Sequence, residues 1–140
     1  NRFFLIEKKF NINIEIDDIF VYSDKEWLIY VFDQLINNAI KYSKTAPCLK
    51  IWAKKDKNEI LLFIEDNGEG IKKEDLPRIF ERGYTGSNHR NNQYKSTGFG
   101  LYMVDLILKR LGHDCYVESC FSKYTRFIIV FKDNRDFFNL

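Results

Sequence analysis

The stretch that decides the fold is Ile60-Leu61-Leu62-Phe63-Ile64-Glu65-Asp66-Asn67-Gly68-Glu69-Gly70-Ile71. Its apolar first half predicts a strand at 60–65 that is buried on both faces. Asp66 follows at the end of this strand, where its carboxylate can accept a hydrogen bond at the floor of a pocket. Gly68 and Gly70 lack side chains, so the main chain can bend and lie against a flat ligand.

Periodic patterns on both sides of this stretch predict the other elements. Alternating or short apolar runs predict half-buried strands at 10–16 and 49–54, a short strand at 20–22, and a hairpin of 114–119 with 124–131. Helical spacing predicts a helix from about Lys25 to Tyr42, capped by Ser23 or Asp24, and another from Gly98-Phe99-Gly100 to Leu111. One or two helical turns are expected at 73–79. Together these elements indicate a single domain over residues 1–140, a two-layer α/β sandwich with a mostly antiparallel mixed sheet covered by helices on one face.

Residues 82–97 differ from the rest of the chain, because they are polar and show no apolar periodicity. Loops of this length inside a compact domain are uncommon and often serve as functional lids. We therefore predict a lid here, with a disordered insertion as the alternative.

The composition excludes several classes of protein. The 22 basic and 20 acidic residues nearly cancel, which gives no support for nucleic-acid binding. Cys48, Cys115 and Cys120 form no Cys-x-x-Cys pair, and His89 and His113 complete no zinc pattern, so we expect reduced thiols and ordinary surface histidines.

The chain has no apolar stretch approaching the ~18 residues of a membrane span. We therefore expect no direct membrane contact from it. It begins without Met and shows no signal peptide, so we expect a piece of a longer protein.

Three groups of residues have the chemistry to bind one nucleotide. Asp66 can accept from the exocyclic amine of adenine, while Gly98 and Gly100, at a helix N-terminus, can offer main-chain N–H groups to phosphate. Asn38 can give its amide oxygen to Mg²⁺, and Lys41 lies one turn further along the same helix, within reach of a phosphate. The chain contains neither a Gly-x4-Gly-Lys-Ser/Thr motif nor a Rossmann fingerprint. By spacing alone, the stripe of Gln34, Asn38 and Lys41 also fits a solvated helix face.

Four segments resemble, in order, the motifs of sensor histidine kinases. Asn38-Ala39-Ile40-Lys41-Tyr42-Ser43 resembles their N box, and Asp66-Asn67-Gly68-Glu69-Gly70-Ile71 resembles their G1 box. Ile79-Phe80-Glu81-Arg82-Gly83 resembles the F box, and Ser96-Thr97-Gly98-Phe99-Gly100-Leu101 resembles the G2 box. The resemblance implies the Bergerat ATP-binding fold that gyrase, Hsp90 and MutL share.

The resemblance also implies roles for individual residues. It assigns Asn38 to Mg²⁺, Asp66 to adenine, residues 82–97 to the ATP lid and Phe80 to the base of that lid. Charge and location make Arg90 and Lys95 our candidates for contacting phosphate from the lid, with two solvated charges as the alternative. The other positions expected to contact ATP or ADP are Lys41, Tyr42, Gly68, Gly70, Ile71, Thr97, Gly98, Phe99, Gly100 and Leu101.

Two departures from the family pattern separate the possible activities. Gln34 lies where ATP-hydrolysing relatives carry a Glu base, and Gln cannot take a proton from water, which favours phosphotransfer. Neither His89 nor His113 lies in the helical context of the phosphoacceptor. We therefore expect the phosphoacceptor histidine on an upstream dimerisation domain. We expect the whole protein to be a homodimeric membrane sensor in which this chain is a cytoplasmic domain, and a response regulator to be the next acceptor of the phosphate.

Two tripeptides at the ends of the predicted lid resemble a narrower group of kinases, and two alternative functions remain open. Tyr84-Thr85-Gly86 and Ser96-Thr97-Gly98 resemble small kinases that work beside peptide-antibiotic exporters. An anti-sigma-type serine kinase of the same fold, and a nucleotide-sensing module without transfer activity, are the alternative functions.

Overall fold

The computed structural model describes residues 10–16, 19–85 and 98–133, which form a sheet of five strands with two α-helices. The strands are β1 (Asn11–Glu15), β2 (Cys48–Asp56), β3 (Glu59–Asp66), β4 (Asp114–Cys120) and β5 (Tyr124–Lys132). The helices are α1 (Lys25–Lys41) and α2 (Gly100–Arg110), and a single 3-10 turn (Leu76–Arg78) lies within 73–79, where we expected one or two helical turns.

The sheet has the strand order β1-β2-β3-β5-β4. β1 pairs with β2 in parallel, through the crossover helix α1, and the three other pairs are antiparallel. The expectation of a mostly antiparallel mixed sheet is therefore confirmed. The β3–β5 pair joins the two halves of the chain and sets Asp66 opposite Thr125.

The core lies between one face of the sheet and the two helices, as the two-layer prediction requires. Val31 and Leu35 of α1, Val104 and Leu108 of α2, and Phe127 of β5 are almost inaccessible to solvent. Burying such side chains stabilises the fold by roughly 1.5–3 kcal/mol each.

Two predictions about strand burial are wrong, because alternation does not reveal which elements cover a strand. In β3 only Ile64 and Asp66 are buried and the other residues are half-buried, since helices cover one face of the sheet. On the other face, Trp52 of β2 stacks on Phe63 with ring centroids 4.9 Å apart. β1 is an edge strand whose residues are all exposed, with Ile14 at 61%.

The strand expected at 20–22 is absent from the structure. These residues form no ladder and lead directly into α1, and the side chain of Phe20 is 82% exposed. Asp24 then caps α1 by accepting from the Trp27 N–H at 3.1 Å. None of the helices in the described ranges has the length and hydropathy to cross a membrane.

His113 is a buried residue and not the surface histidine that we expected, since only 1% of it is exposed. Its Nδ1 accepts from the Lys132 N–H at 3.2 Å, so Nε2 carries the proton and donates to the Ser23 hydroxyl oxygen at 2.9 Å. Burial is the main reason that its pKa is lowered. His113 therefore ties the segment before α1 to the end of β5.

Candidate functional site

The predicted site residues converge where α1 and β3 end and α2 begins. A Cβ at Gly100 would lie 2.6 Å from Oε1 of Gln34, so the side chain of Gln34 on the polar edge of α1 lies directly against the start of α2. Asn38 and Lys41, further along this edge, are half-buried rather than fully solvated. The polar stripe of α1 thus borders the site.

Asp66 is a buried acid at the end of β3, with 7% of its surface exposed. Its Oδ1 accepts from the Gly68 N–H at 2.8 Å. Burial raises its pKa from the ordinary 3.8 to about 7; the Gly68 hydrogen bond and Lys44 oppose this rise, and the charge of Glu65 adds to it. The carboxyl is therefore near its titration midpoint at neutral pH.

The packing around Gly68 and Gly70 gives a reason for glycine at these positions that is separate from the expected room for a flat ligand. A Cβ at Gly68 would lie 2.4 Å from the Tyr42 carbonyl oxygen. Gly70 has a φ of +72°, and a Cβ there would lie 2.3 Å from the carbonyl oxygen of Cys120. The protein's own main chain fills the space beside both glycines.

Main-chain hydrogen bonds hold three loops together around Asp66. They are the α1–β2 loop (residues 42–47), the glycine turn (residues 67–71) and the β4–β5 turn (residues 121–123). Glu69 N–H donates to the Tyr42 carbonyl at 2.9 Å, and the Ser122 N–H donates to the Glu69 carbonyl. The Ile71 N–H donates to the Ser119 hydroxyl oxygen at 2.8 Å. The glycine turn is therefore held on both sides.

Two side chains that sequence reasoning missed complete these links. Asn67 accepts from the Cys48 N–H at 2.7 Å and donates to the Ala46 carbonyl at 3.2 Å. Lys44 donates to the Ser122 carbonyl oxygen. The Asn67 amide could have been inferred from its place in a turn, because Asn side chains often bond nearby main chain. Lys44 has no comparable local signal.

Lys41 and Tyr42 lie where α1 ends. The Lys41 ammonium is 5.0 Å from the centroid of the Tyr42 ring. Burial lowers the pKa of Lys41, and it raises that of Tyr42, to which the charge of Glu69 also contributes.

The two ends of the predicted lid meet at its base. Gly83 N–H donates to the Gly98 carbonyl at 3.1 Å, and Gly98 has a φ of +76°. A Cβ at Gly98 would lie 2.4 Å from the carbonyl carbon of Gly83. Phe80, which we predict at the base of the lid, packs edge-to-face on Phe127 of the core with ring centroids 6.4 Å apart.

A second group of side chains fixes the first residues of the lid. The Tyr84 hydroxyl donates to Oδ1 of the buried Asp75, and the Arg78 guanidinium lies 4.3 Å from the centroid of the Tyr84 ring. Arg78 also pairs with Glu81 at 2.9 Å.

The remaining predicted positions divide into two sets. Ile71 and Leu101 pack against the core, and Phe99 is exposed, with the Arg82 guanidinium 5.6 Å from its ring centroid. Arg90, Lys95 and Thr97 lie outside the described residues, as do His89 and most of the lid.

The donor groups at this site fit a magnesium ion that is held mostly by water and phosphate. Within 10–16, 19–85 and 98–133, no three His, Cys, Asp or Glu side chains gather as metal ligands. Mg²⁺ commonly keeps several waters and takes few protein ligands beside phosphate oxygens. The amide of the half-buried Asn38 fits that mode of binding.

Residues 23–135 match the family described as histidine kinase-, DNA gyrase B- and HSP90-like ATPase. The sensor protein kinase GraS of Staphylococcus aureus (strain JH1) is 37% identical over 122 residues, which are 87% of this chain and 34% of GraS. The chain thus spans about a third of the length of the curated relatives that it matches.

Solved structures agree with this match. The mycobacterial sensor histidine kinase MprB aligns with a TM-score of 0.82 at 20% identity, over 94% of this chain and 89% of that one. The catalytic domain of the histidine kinase ThkA aligns with a TM-score of 0.78 at 20% identity, over 92% and 84% of the two chains. The histidine kinase AdeS of Acinetobacter baumannii is 28% identical, with a TM-score of 0.73, over 96% of this chain and 59% of AdeS. The fold implied by the four motifs is therefore confirmed.

Proposed function

Because the chain belongs to the family of histidine kinase-, DNA gyrase B- and HSP90-like ATPases, we propose that it is the catalytic ATP-binding domain of a sensor histidine kinase. The packing of Gln34 against Gly100 is the observation that carries this proposal. It brings the polar edge of α1 beside the N-terminus of α2, at the same end of the sheet as the buried Asp66.

Asp66 reads the base of the nucleotide. The Gly68 N–H holds one carboxyl oxygen, and the other oxygen accepts from the exocyclic amine of adenine. A hydrogen bond to an ionised acceptor is roughly twice as strong as a neutral one. Nucleotide binding therefore draws the Asp66 carboxyl toward its ionised form.

The phosphates lie between α1 and α2. The first N–H groups of α2, which begins at Gly100 two residues after Gly98, attract phosphate oxygens by the helix dipole. Asn38 holds Mg²⁺, which neutralises phosphate charge when it is bound, and Lys41 adds a cation one turn away. Arg90 and Lys95 contact phosphate from the lid. Tyr42, Ile71, Phe80, Thr97, Phe99 and Leu101 form the remaining walls.

The reaction transfers the γ-phosphoryl group to a histidine elsewhere in the intact protein. The neutral imidazole nitrogen attacks phosphorus, the bond to the β-phosphate oxygen breaks, ADP leaves, and the ring's own proton passes to solvent. Gln34 cannot deprotonate water, which keeps hydrolysis slow. This chain contributes position and charge neutralisation rather than covalent chemistry.

The proposal extends to the whole protein. We place the acceptor histidine on the dimerisation domain of a homodimeric membrane sensor, with this chain on the cytoplasmic side. A response regulator then takes the phosphate onto an Asp. The resemblance of Tyr84-Thr85-Gly86 and Ser96-Thr97-Gly98 to small kinases that work beside peptide-antibiotic exporters supports a sensor of that type.

Calorimetry and phosphate labelling test this proposal. The 140-residue chain should bind ADP and Mg·ATP without labelling itself, and it should label a histidine-bearing dimerisation domain from a sensor kinase when the two are joined. Asn38→Ala should lower the Mg²⁺ dependence of ATP binding about tenfold, because Mg²⁺ loses a protein ligand. Asn37→Ala, one residue away on the exposed face of α1, is the matched control. Stable labelling of the chain alone, or equal Mg²⁺ titrations for the two variants, would contradict the proposal.

A further inference from the structure

Lys44 makes a link across the Asp66 end of the site that the family motifs do not assign. It lies in the α1–β2 loop, and its ammonium group donates to the Ser122 carbonyl in the β4–β5 turn, 78 residues away in sequence. Ser122 N–H in turn bonds Glu69 of the glycine turn, whose own N–H bonds Tyr42. Lys44 therefore closes a ring of three loops around Asp66.

This link differs in kind from the others in the ring. Glu69 and Ser122 are joined by main-chain groups, and Asn67 uses a neutral amide at close range. Lys44 is an exposed side chain that carries a full charge. Its contribution is therefore both mechanical and electrostatic.

The charges around Asp66 come from few groups. Glu65, the preceding residue of β3, raises the pKa of Asp66, and Lys44 lowers it. The neighbours of Asp66 in the sheet, Leu49 of β2 and Thr125 of β5, are uncharged.

The remaining charged groups nearby act on other partners. The Arg126 guanidinium is bonded at 2.6 Å to the carboxylate of Glu65, the residue before Asp66. Lys41 at the end of α1 lies over the Tyr42 ring, and Glu69 raises the pKa of Tyr42. Lys44, by contrast, is bonded within the three loops beside Asp66, and its charge lowers the pKa of that carboxyl.

We propose that Lys44 is a positioning residue for adenine recognition, which holds the α1–β2 loop on the β4–β5 turn and sets a positive charge at the Asp66 end of the site. This inference rests on the proposed function, because it needs Asp66 to read the base. It adds a residue outside the four motifs to the adenine end of the site.

Carbon NMR of the Asp66 carboxyl group, in the nucleotide-free 140-residue chain, tests the electrostatic part without any ligand. In Lys44→Met the titration midpoint should move to higher pH, and Lys44→Arg should restore it. Lys123→Met removes the same charge from an exposed residue of the β4–β5 turn and is the control. A midpoint unmoved in Lys44→Met, or moved equally in Lys123→Met, would overturn the proposal.

The affinity for ADP across pH tests the link to recognition. The ratio of the Lys44→Met and wild-type dissociation constants should reach about two- to fivefold at pH 7 and fall to a smaller, constant value above about pH 9, where Asp66 is ionised in both proteins and only the lost loop contact remains. Comparing proteins at each pH cancels the titration of the phosphates. A ratio that is constant with pH would mean that Lys44 has only a structural role, and would overturn the proposal. If ADP binds neither the wild type nor any variant, the proposed function fails. The NMR titration still decides whether the charge of Lys44 acts on Asp66.

Discussion

The two ends of the proposed cleft are built in different ways. At the adenine end, the buried Asp66 accepts a hydrogen bond from the glycine turn, and hydrogen bonds join this turn, the α1–β2 loop and the β4–β5 turn to one another. At the phosphate end, the described contacts of the lid lie at its base, where Gly83 meets Gly98 and Tyr84 meets Asp75. Under the proposed function, the residues that read the base are already held in place before the nucleotide arrives, and the two ends of the lid are bonded to each other at its base.

The largest effect that we expect comes from Gly70→Ala at the adenine end. Alanine would have to adopt a φ of +72° and place its Cβ 2.3 Å from the Cys120 carbonyl oxygen, in a turn bonded on both sides. The free energy of unfolding should fall by about 4 kcal/mol, as measured by urea denaturation. A loss below about 1 kcal/mol would show that the three loops yield easily, and the contrast between the two ends would disappear.

Asp66→Asn should change the pH dependence of stability. The folded-state pKa of about 7 lies above the ordinary 3.8, so between these values the folded protein binds more protons than the unfolded one. The stabilising contribution of the protonated Asp66 carboxyl is therefore fully present below about pH 4 and is lost as pH rises through 7. Asparagine keeps the acceptor for Gly68 but does not titrate, so the stability of the variant relative to the wild type should rise by about 4 kcal/mol between pH 4 and pH 8.

Urea denaturation from pH 4 to 9 measures this difference. The contribution of His113, whose lowered pKa costs stability as pH falls, is common to both proteins and cancels. Parallel pH profiles would mean that the Asp66 carboxyl is solvated, and the adenine end would then be no more enclosed than the phosphate end. The same variant should bind ADP more weakly, because an amide replaces the ionised acceptor.

The smallest effect that we expect is the loss of unfolding free energy when either of two glycines at the lid base is replaced by alanine. Both have positive φ, +79° for Gly83 and +76° for Gly98, but only a Cβ at Gly98 would meet another main chain, that of Gly83. Gly83→Ala should therefore cost about 1 kcal/mol from backbone strain, and Gly98→Ala about 2 kcal/mol because the Gly83 contact must also open. Thermal unfolding of both variants measures the costs. Equal costs would argue that the two ends of the lid separate freely.

The fold was predictable where a residue's pattern reflects its own element. The spacing of Val104 and Leu108 gave α2, and the run of Phe127 and Ile129 gave β5. The burial of β1 was not predictable, since the alternation of Ile12 and Ile14 does not say that this strand lies at the sheet edge. Burial depends on neighbours that local periodicity does not identify.

The contacts within the candidate site could not be predicted either, because they join residues that are distant in sequence. Glycine at positions 68 and 70 was recognisable as unusual, but its packing reason involves the carbonyls of Tyr42 and Cys120, which are distant in sequence. The Lys44–Ser122 bond could not be predicted for the same reason. Motif resemblance names the positions that a family shares, and it does not reveal contacts made by the residues between them.

The hydrogen bond between Gly83 and Gly98 also has a consequence for how such domains can diversify. It keeps the two ends of the lid together whatever sequence lies between them. The entropy of closing a loop grows only with the logarithm of its length, about 0.6 kcal/mol for each doubling. Insertions, deletions and grafted sequences between Gly83 and Gly98 are therefore thermodynamically cheap. A new lid could be exchanged into this domain while the proposed adenine site stays unchanged.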